Sequence, residues 1–237
     1  MQDIEIALIN PNTNAQTTEA MVRIAGEAAR RFAPAVNVKV TGHTAEFGAR
    51  MIVDMAALDT ARRAAASIVE GLRDGSRQAD AVVISAFGDP ALEIASDHFP
   101  DRAFGIGMES MRAAGVGGRR FAVATTTPGL RPGIDAIADR LDLADQYRGT
   151  FVTETGPLEL AEDPRRQHEE LTRAVQAAIA TGGADAVIIG GGPLAVAARM
   201  LAAEVSCPLI EPIPEAIGAA LQAIIGSGTL SPASKQG

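Results

Sequence analysis

The sequence has few of the residues that stabilise small secreted proteins. Its 237 residues include one cysteine, Cys207, one tyrosine and no tryptophan, and aromatic residues make up 3% of the chain. A single cysteine cannot build an internal disulfide framework, so the fold must depend on an apolar core. Apolar residues make up 47% of the chain. This composition is typical of parallel sheets covered by helices, and the length suits one large domain or two small ones.

Basic clusters and long apolar runs are also missing. The net charge is −8, which argues against a nucleic-acid partner because no Lys/Arg cluster could displace counterions from phosphates. A small anion could still bind to backbone amides at a helix start. No apolar run approaches the roughly 20 residues that span a bilayer, so we expect no membrane association. The first residues show no signal-peptide pattern, and we therefore expect a cytoplasmic protein.

One stretch of the sequence occurs twice. Residues 79–92 read ADAVVISAFGDPAL and residues 184–195 read ADAVIIGGGPLA, 105 residues further along. Each copy is an apolar strand that breaks into a loop of small residues. Because α/β proteins build ligand pockets from such loops at the carboxyl ends of their strands, we expect the two loops to face each other across a cleft.

Strand and helix patterns alternate on both sides of this repeat. Predicted strands lie at 4–9, 36–40 and 103–107 in the first half, and at 121–124, 150–153 and 208–210 in the second, and each copy of the repeat adds one central strand. The connections are long enough for right-handed crossovers between parallel strands. The sequence therefore predicts an α/β fold of two four-stranded parallel-sheet domains related by a pseudo-twofold axis.

Several segments together resemble a known family. They are INPNT at 9–13, FGDP at 87–90, LEL and EDP within 158–164, and the strand and glycine loop at 187–192. This set resembles the aspartate/glutamate/hydantoin racemase superfamily, and in particular its hydantoin and allantoin racemases. The resemblance implies that the chain crosses over, so that residues 1–100 and 207–237 form the first domain and 101–206 the second. It also implies a ligand between the domains. Separately, we expect a homo-oligomer.

The sequence departs from this family at the two positions that carry its chemistry. The resemblance implies one cysteine from each half, on opposite faces of the substrate carbon, with one thiolate removing the α-proton and the other thiol returning a proton. This chain has Ala86 and Gly191 at those positions. Cys207 starts a predicted strand, at the end of the sheet away from the cleft, where a small buried residue is expected.

Three functions stay open on this basis. The first is a cofactor-independent enzyme that acts on a small carboxylate or a cyclic amide or ureide without a thiol, as a hydrolase, lyase or isomerase. The second is a family member that binds a small ligand without chemistry. The third is a racemase whose two thiols were removed by mutation.

Candidate binding residues share a position in loops at strand ends. Asn12 and the Thr125–Thr126 pair offer donors that suit a carboxylate or ureide oxygen, although such residues also cap helices. The glycine loop would let backbone amides approach a developing oxyanion. The predicted binding residues are Asn10, Asn12, Ala86, Phe87, Thr125, Thr126, Gly191 and Gly192.

Four residues are candidates for acid–base chemistry. Ser85 ends a central strand, but it lacks a nucleophile-elbow motif and also fits a satisfied buried hydroxyl. Asp89 precedes Pro90 at a predicted helix start, where it would serve as a cap. Glu211 ends the last strand and is either a desolvated base or a structural acceptor. His43 follows the second strand and is either a general base or an exposed loop residue.

The sequence predicts no metal and no cofactor. It has no His-x-x-x-His or Cys-x-x-Cys spacing. The glycines at 190–192 lack the Lys-Ser ending of a phosphate loop and the spacing of a dinucleotide fingerprint.

Overall fold

The computed structural model describes residues 3–74, 79–191, 194–202 and 204–226, and it contains two four-stranded sheets in which every strand pair is parallel. The prediction of an α/β protein with two such sheets is confirmed. The first sheet contains β1 (Asp3–Asn10), β2 (Asn37–Thr44), β3 (Ala81–Ile84) and β4 (Ala103–Gly105). The second contains β5 (Phe121–Thr125), β6 (Tyr147–Val152), β7 (Ala186–Ile189) and β8 (Leu209–Ile210). Their orders, β2-β1-β3-β4 and β6-β5-β7-β8, are equivalent.

Helices connect these strands in both halves. They are α1 (Ala15–Phe32), α2 (Met55–Asp74), α3 (Leu92–His98), α4 (Ile106–Ala114), α5 (Arg131–Arg140), α6 (Pro157–Leu160), α7 (Pro164–Ala180), α8 (Ala195–Leu201) and α9 (Pro212–Gly226). Among the described residues, no helix is long and apolar enough to cross a membrane.

The central strands have the pattern of strands that are covered on both faces. All four residues of β3 and all four of β7 are buried. A parallel strand between two helical layers needs such a continuous apolar run. Ile9 of β1 pairs with Ile84 of β3, and Ala124 of β5 pairs with Ile189 of β7. The loops after these strands therefore start at the same edge of each sheet.

The first helix shows how the loop after β1 is shaped. The Asn14 side chain accepts hydrogen bonds from the backbone N–H groups of Gln16 and Thr17 and so caps α1. Met21 and Ile24 on its inner face pack into the first core. The cap fixes where the loop ends, since an uncapped first turn would leave backbone donors unpaired.

Two strands lie in a different sheet from the one that the expected domain boundaries imply. Strand 103–105 was expected in the second domain, but β4 pairs with β3 in the first sheet. Strand 209–210 was expected in the first domain, but β8 pairs with β7 in the second sheet. In both cases one helix, α3 or α8, connects two neighbouring parallel strands. The division of the chain into domains itself stays a prediction.

The last helix returns to the first sheet. Ile213, Ile217 and Leu221 of α9 belong to the same core cluster as Ile4 and Leu8 of β1. The chain therefore leaves the first sheet, builds the second, and comes back to cover the first.

Two local features were not expected. Strand β2 continues to Thr44, because residues 41–44 pair with residues 7–10 of β1, so His43 lies within a strand rather than after it. Helix α6 is only four residues long, which is too short to show a helical apolar period in sequence.

Candidate functional site

A cavity of about 340 Å³ lies where the carboxyl ends of the two sheets meet. This volume is at the lower end of the range of roughly 300–1,000 Å³ that is usual for small-molecule sites. Its lining residues are Asn12, Asn14, Thr17, Met21, Met51, Ile52, Ser85, Ala86 and Phe87 from the first half, and Thr125, Thr126, Thr127, Leu130, Ile134, Pro157, Ala161, Gln167, Gly190, Gly191 and Leu194 from the second. A larger open hollow of about 540 Å³ contains none of the predicted site residues.

The loop after β1 presents Asn12 and Asn14 to the cavity. Asn10 is buried and its Nδ2 donates to Asn12 Oδ1 at 2.9 Å and to Thr18 Oγ1 at 2.9 Å. Asn12 Oδ1 also accepts from the backbone N–H of Asn14 at 2.9 Å. The side-chain oxygen of Asn12, Oδ1, thus accepts two hydrogen bonds within the loop. The side-chain nitrogen, Nδ2, has no partner in the described chain. Asn12 can therefore donate to a ligand oxygen, while Asn10 supports it from behind.

The loop after β5 is tied to the glycine loop. Thr125 Oγ1 donates to the carbonyl oxygen of Gly190 at 2.7 Å and lies 2.9 Å from Thr127 Oγ1. A hydroxyl has one hydrogen, so Thr127 donates in the second bond. Thr126 lines the cavity, and its hydroxyl has no partner in the described residues. The hydrogen bonds hold the two loops together and leave Thr126 for a ligand.

The two positions at which the resemblance places thiols share this cavity. Ala86 follows β3 and Gly191 follows β7, 105 residues apart, and both line it. Gly191 has φ +149°, and a Cβ there would lie 3.1 Å from Leu194 Cδ1. A side chain at position 191 would therefore meet both backbone strain and a close neighbour. Gly192, also predicted to bind, lies outside the described residues.

Ser85 is the one predicted acid–base residue of the four that lies at the cavity. Its hydroxyl is buried and donates to Met21 Sδ at 3.1 Å. A thioether cannot take a proton at neutral pH, so this contact does not activate the serine.

His43 lies on a different surface. It belongs to the edge strand β2 and lines an open hollow of about 500 Å³ that lies between this strand and α2. Burial lowers the pKa of His43, against the opposing effect of Glu5.

Asp89 is buried and caps α4, a helix that is close in space but begins well after Asp89 in the sequence. Its carboxylate accepts from the backbone N–H groups of Gly107 at 2.8 Å and Met108 at 2.6 Å, at the start of α4. Gly105 and Gly107 lie so close that a Cβ on either would collide with this carboxyl group. Burial raises the pKa of Asp89 to about 7, although the two backbone donors favour the ionised form. A cap is thus present, but on α4 rather than on the helix that follows Asp89.

Glu211 forms part of an ion-pair group between the halves. Arg199 Nε donates to Glu211 Oε2 at 3.0 Å, and Arg199 Nη1 donates to Glu27 Oε2 at 2.7 Å. Helix α8 is in this way joined to α1. Glu211 is absent from the cavity lining given above.

Cys207 is also absent from the cavity lining. It is half-buried just before β8 and packs against the core cluster of α7 and β7. Burial raises the pKa of its thiol, which opposes formation of a reactive thiolate at neutral pH.

The described lining carries no ionisable side chain. It contains no Asp, Glu, His, Lys, Arg, Cys or Tyr, and the described chain has no group of three or more residues able to hold a metal ion. Its polar groups are amides, hydroxyls and backbone. Its apolar side is continuous, because Phe87, Leu130 and Ile134 belong to one core cluster and Ile52 packs against it.

Sequence reasoning missed several wall residues. Met51 and Ile52 come from the loop before α2, Pro157 from α6, Ala161 from the turn after it and Gln167 from α7. None of them directly follows a central strand, so the rule that ligand-binding loops follow the carboxyl ends of parallel strands could not identify them. The LEL and EDP segments within 158–164 were the sequence features close to this wall.

Comparisons with known proteins agree with this geometry. The family model described as Asp/Glu/Hydantoin racemase matches residues 6–220. The hydantoin racemase of Rhizobium meliloti is 28% identical over 228 residues, covering 95% of this chain and 90% of that protein. The solved structure of allantoin racemase from Klebsiella pneumoniae has a TM-score of 0.79 at 23% identity, covering 94% of this chain and 89% of that chain. Allantoin racemase from Pseudomonas fluorescens has a TM-score of 0.80 at 21% identity, covering 99% of both chains. The chain belongs to the Asp/Glu/hydantoin racemase family.

Proposed function

We propose that the cavity binds a small uncharged cyclic amide or ureide, and that the protein acts on it as a cofactor-independent enzyme without a thiol. The observation that carries this proposal is a lining whose polar groups, in its described part, include no ionisable side chain. A carboxylate would normally be matched by a cation, whereas a neutral ring needs hydrogen-bond donors and acceptors. Hydantoin and allantoin, which the names of the relatives contain, are rings of this kind.

The two sides of the cavity suit the two parts of such a molecule. Asn12 Nδ2 and the Thr126 hydroxyl lack partners in the described chain and can donate to ring carbonyl oxygens. The apolar side formed by Phe87, Leu130 and Ile134 can receive a substituent on the ring carbon. The ring would therefore bind with its carbonyl groups toward the loops after β1 and β5.

The chemistry that this lining favours is enolisation. When the C–H bond next to a ring carbonyl breaks, its electron pair moves to the carbonyl oxygen, and donors aimed at that oxygen lower the barrier. With no side-chain base in the described lining, water or hydroxide from solvent takes the proton and returns one. Isomerisation at that carbon is the result. A positioned general base usually contributes about 10²–10⁴-fold, so we expect slow turnover compared with a two-thiol enzyme.

The same uncharged lining favours a second candidate function. A family member that binds the ring without turning it over needs the donors and the apolar side but no proton-transfer group. Binding without measurable exchange would assign the protein to this class.

The test uses single enantiomers of allantoin and of 5-benzylhydantoin in deuterium oxide. Proton NMR follows loss of the ring C–H signal above the uncatalysed rate, optical rotation follows racemisation, and calorimetry measures binding. We expect binding, and slow exchange that Cys207→Ser leaves unchanged. Thr126→Val removes one free donor and should weaken binding or exchange. Loss of activity in Cys207→Ser would contradict a thiol-free reaction, and tighter binding of aspartate than of either ring would contradict the ligand class.

A further inference from the structure

One wall of the cavity is built from the segment that leaves the second sheet. We call residues 153–163, which run from the end of β6 to the cap of α7, the strap. Pro157 and Ala161 of the strap line the cavity. Leu160, between them, is fully buried and anchors the strap from the inside. The position of the strap therefore decides how much room the cavity has on this side.

A buried carboxylate on α7 holds the strap. Glu170 is 3% exposed, and it accepts from Thr155 N at 2.8 Å and from Thr155 Oγ1 at 2.6 Å. It also accepts from Arg166 Nε at 3.0 Å. Arg166 Nη1 donates in turn to Glu159 Oε1 at 2.6 Å. The Glu170 carboxylate thus contacts the strap directly at Thr155 and, through Arg166, at Glu159.

The charge of Glu170 is stabilised by these same contacts. Burial alone would favour the neutral acid, but the hydrogen bonds from Thr155 and Arg166 lower the pKa of Glu170 to about 2. Arg173 adds a more distant ion pair at 3.9 Å. Hydrogen bonds to a buried charged group are stronger than those between neutral groups, and they are costly to break on one side only.

Glu170 does not itself line the cavity, although Gln167, one turn earlier on the same helix, does. It therefore cannot touch a ligand and can act only by placing other residues.

The two ends of the strap are fixed by contacts that do not involve Glu170. At the carboxyl end, Asp163 caps α7 by accepting from Arg166 N at 3.1 Å. At the amino end, the N–H of Thr153 donates to the carbonyl oxygen of Thr125 at 3.1 Å. The contacts of Glu170 thus lie between two fixed ends, next to the wall residues.

We propose that Glu170 is a positioning residue that holds the strap against the cavity, so that Pro157 and Ala161 limit the total size of the substituted ring that the cavity of about 340 Å³ can hold. This inference rests on the proposed function for the identity of the ligand. The other part of the inference, that Glu170 holds the strap in place, does not depend on any ligand.

The test compares wild type with Glu170→Gln. Glutamine has one acceptor oxygen, and its amide group faces donors, so the contacts with Thr155 and Arg166 cannot all form. We expect amide hydrogen exchange in peptides covering 153–161 to become at least about tenfold faster, as for loss of one charge-assisted hydrogen bond. We also expect the Kd ratio of 5-benzylhydantoin to 5-methylhydantoin to shift about tenfold toward the larger compound, because a looser wall admits it.

A matched control and a second variant make the result decisive. Glu169→Gln removes the same charge one residue earlier on α7, from an exposed side chain that pairs only loosely with Arg165 at 3.9 Å, and it should change neither quantity. If Glu170→Gln does not fold, Thr155→Val removes one of the same hydrogen bonds and should shift both quantities in the same direction.

Two outcomes would overturn the inference. One is unchanged exchange in 153–161 in the variant, and the other is faster exchange with an unchanged Kd ratio, because general destabilisation weakens both ligands equally. Failure of wild type to bind either hydantoin would instead refute the proposed function, and the exchange measurement would still test the attachment of the strap.

Discussion

The buried carboxylate of Asp89 predicts a specific pH dependence of folding. Its pKa is about 7 in the folded protein, against an ordinary value of 3.8. Between these values the folded protein holds a proton that the unfolded chain has lost, so the free energy of unfolding falls as the pH rises. Exchange of one proton gives a slope of about 1.4 kcal/mol per pH unit. The contribution of Asp89 is full below about pH 4 and is lost by pH 7 to 8.

Replacement of Asp89 by asparagine should remove this slope. Asparagine cannot ionise, and its single acceptor can serve either Gly107 N or Met108 N but not both. The backbone N–H that is left unpaired costs about 1–3 kcal/mol at every pH. The destabilisation by Asp89→Asn should therefore be largest near pH 5 and should shrink toward pH 8.

The assay is urea unfolding between pH 5 and 8. Far-UV circular dichroism is the suitable signal, because the chain has no tryptophan and a single tyrosine. Asp97→Asn, at an exposed position of α3, is the control and should keep the slope of wild type. Other titrating groups are the same in both proteins, so the difference between the two curves isolates Asp89. Parallel curves for wild type and Asp89→Asn, or a gap that widens with pH, would refute the reasoning.

Three further predictions concern the cavity loops and the strap. Thr125→Val breaks the hydrogen bond to the carbonyl oxygen of Gly190 and should lower the free energy of unfolding, measured in urea, by about 1–3 kcal/mol. Thr125→Ser keeps the hydroxyl and should retain most of the wild-type stability. Equal stability of the two variants would contradict this role of Thr125. Gly191→Ala places a Cβ at φ +149° and 3.1 Å from Leu194 Cδ1, so it should cost about 1–3 kcal/mol, and an unchanged melting temperature would show that the loop relaxes freely. Glu170, whose pKa is lowered from 4.5 to about 2, stabilises the fold above pH 4.5 and loses this effect as the pH falls toward 2. Thermal melts from pH 7 to 3 should therefore fall more steeply for wild type than for Glu170→Gln, and equal slopes would argue against an ionised Glu170.

The fold could be predicted because its signal is local and occurs twice. Four apolar residues followed by a loop of small residues identify β3 and β7, and both strands are buried as such a run requires. The repeat at 105 residues then implies two sheets of equal order. The same local reasoning failed at β2, where residues 41–44, TGHT, carry no strand-like apolar alternation and are held in the strand by pairing with β1. His43 was misplaced for this reason.

The candidate site was only partly predictable, and the reason is the distance between partners in sequence. Asn12, Ala86 and Thr126 follow strands, and strand ends of a parallel sheet meet at one edge, so their position at the cavity follows from the topology. Asp89 bonds to backbone groups 18 and 19 residues later. Glu211 shares Arg199 with a residue 172 positions before that arginine. No local pattern could report those contacts.

The return of α9 to the first sheet affects how the protein can be made. Six described residues of this helix, Ile213, Ala216, Ile217, Ala220, Leu221 and Ile224, belong to the core cluster around β1 and α1. While a ribosome synthesises the chain from its amino end, the apolar surface that α9 will cover stays exposed until the last turn of that helix has emerged. Exposed surface of this kind is where nascent chains aggregate or recruit chaperones. The sheet that begins first is therefore completed last, and truncation before residue 212 should leave it open even though all of its strands are present.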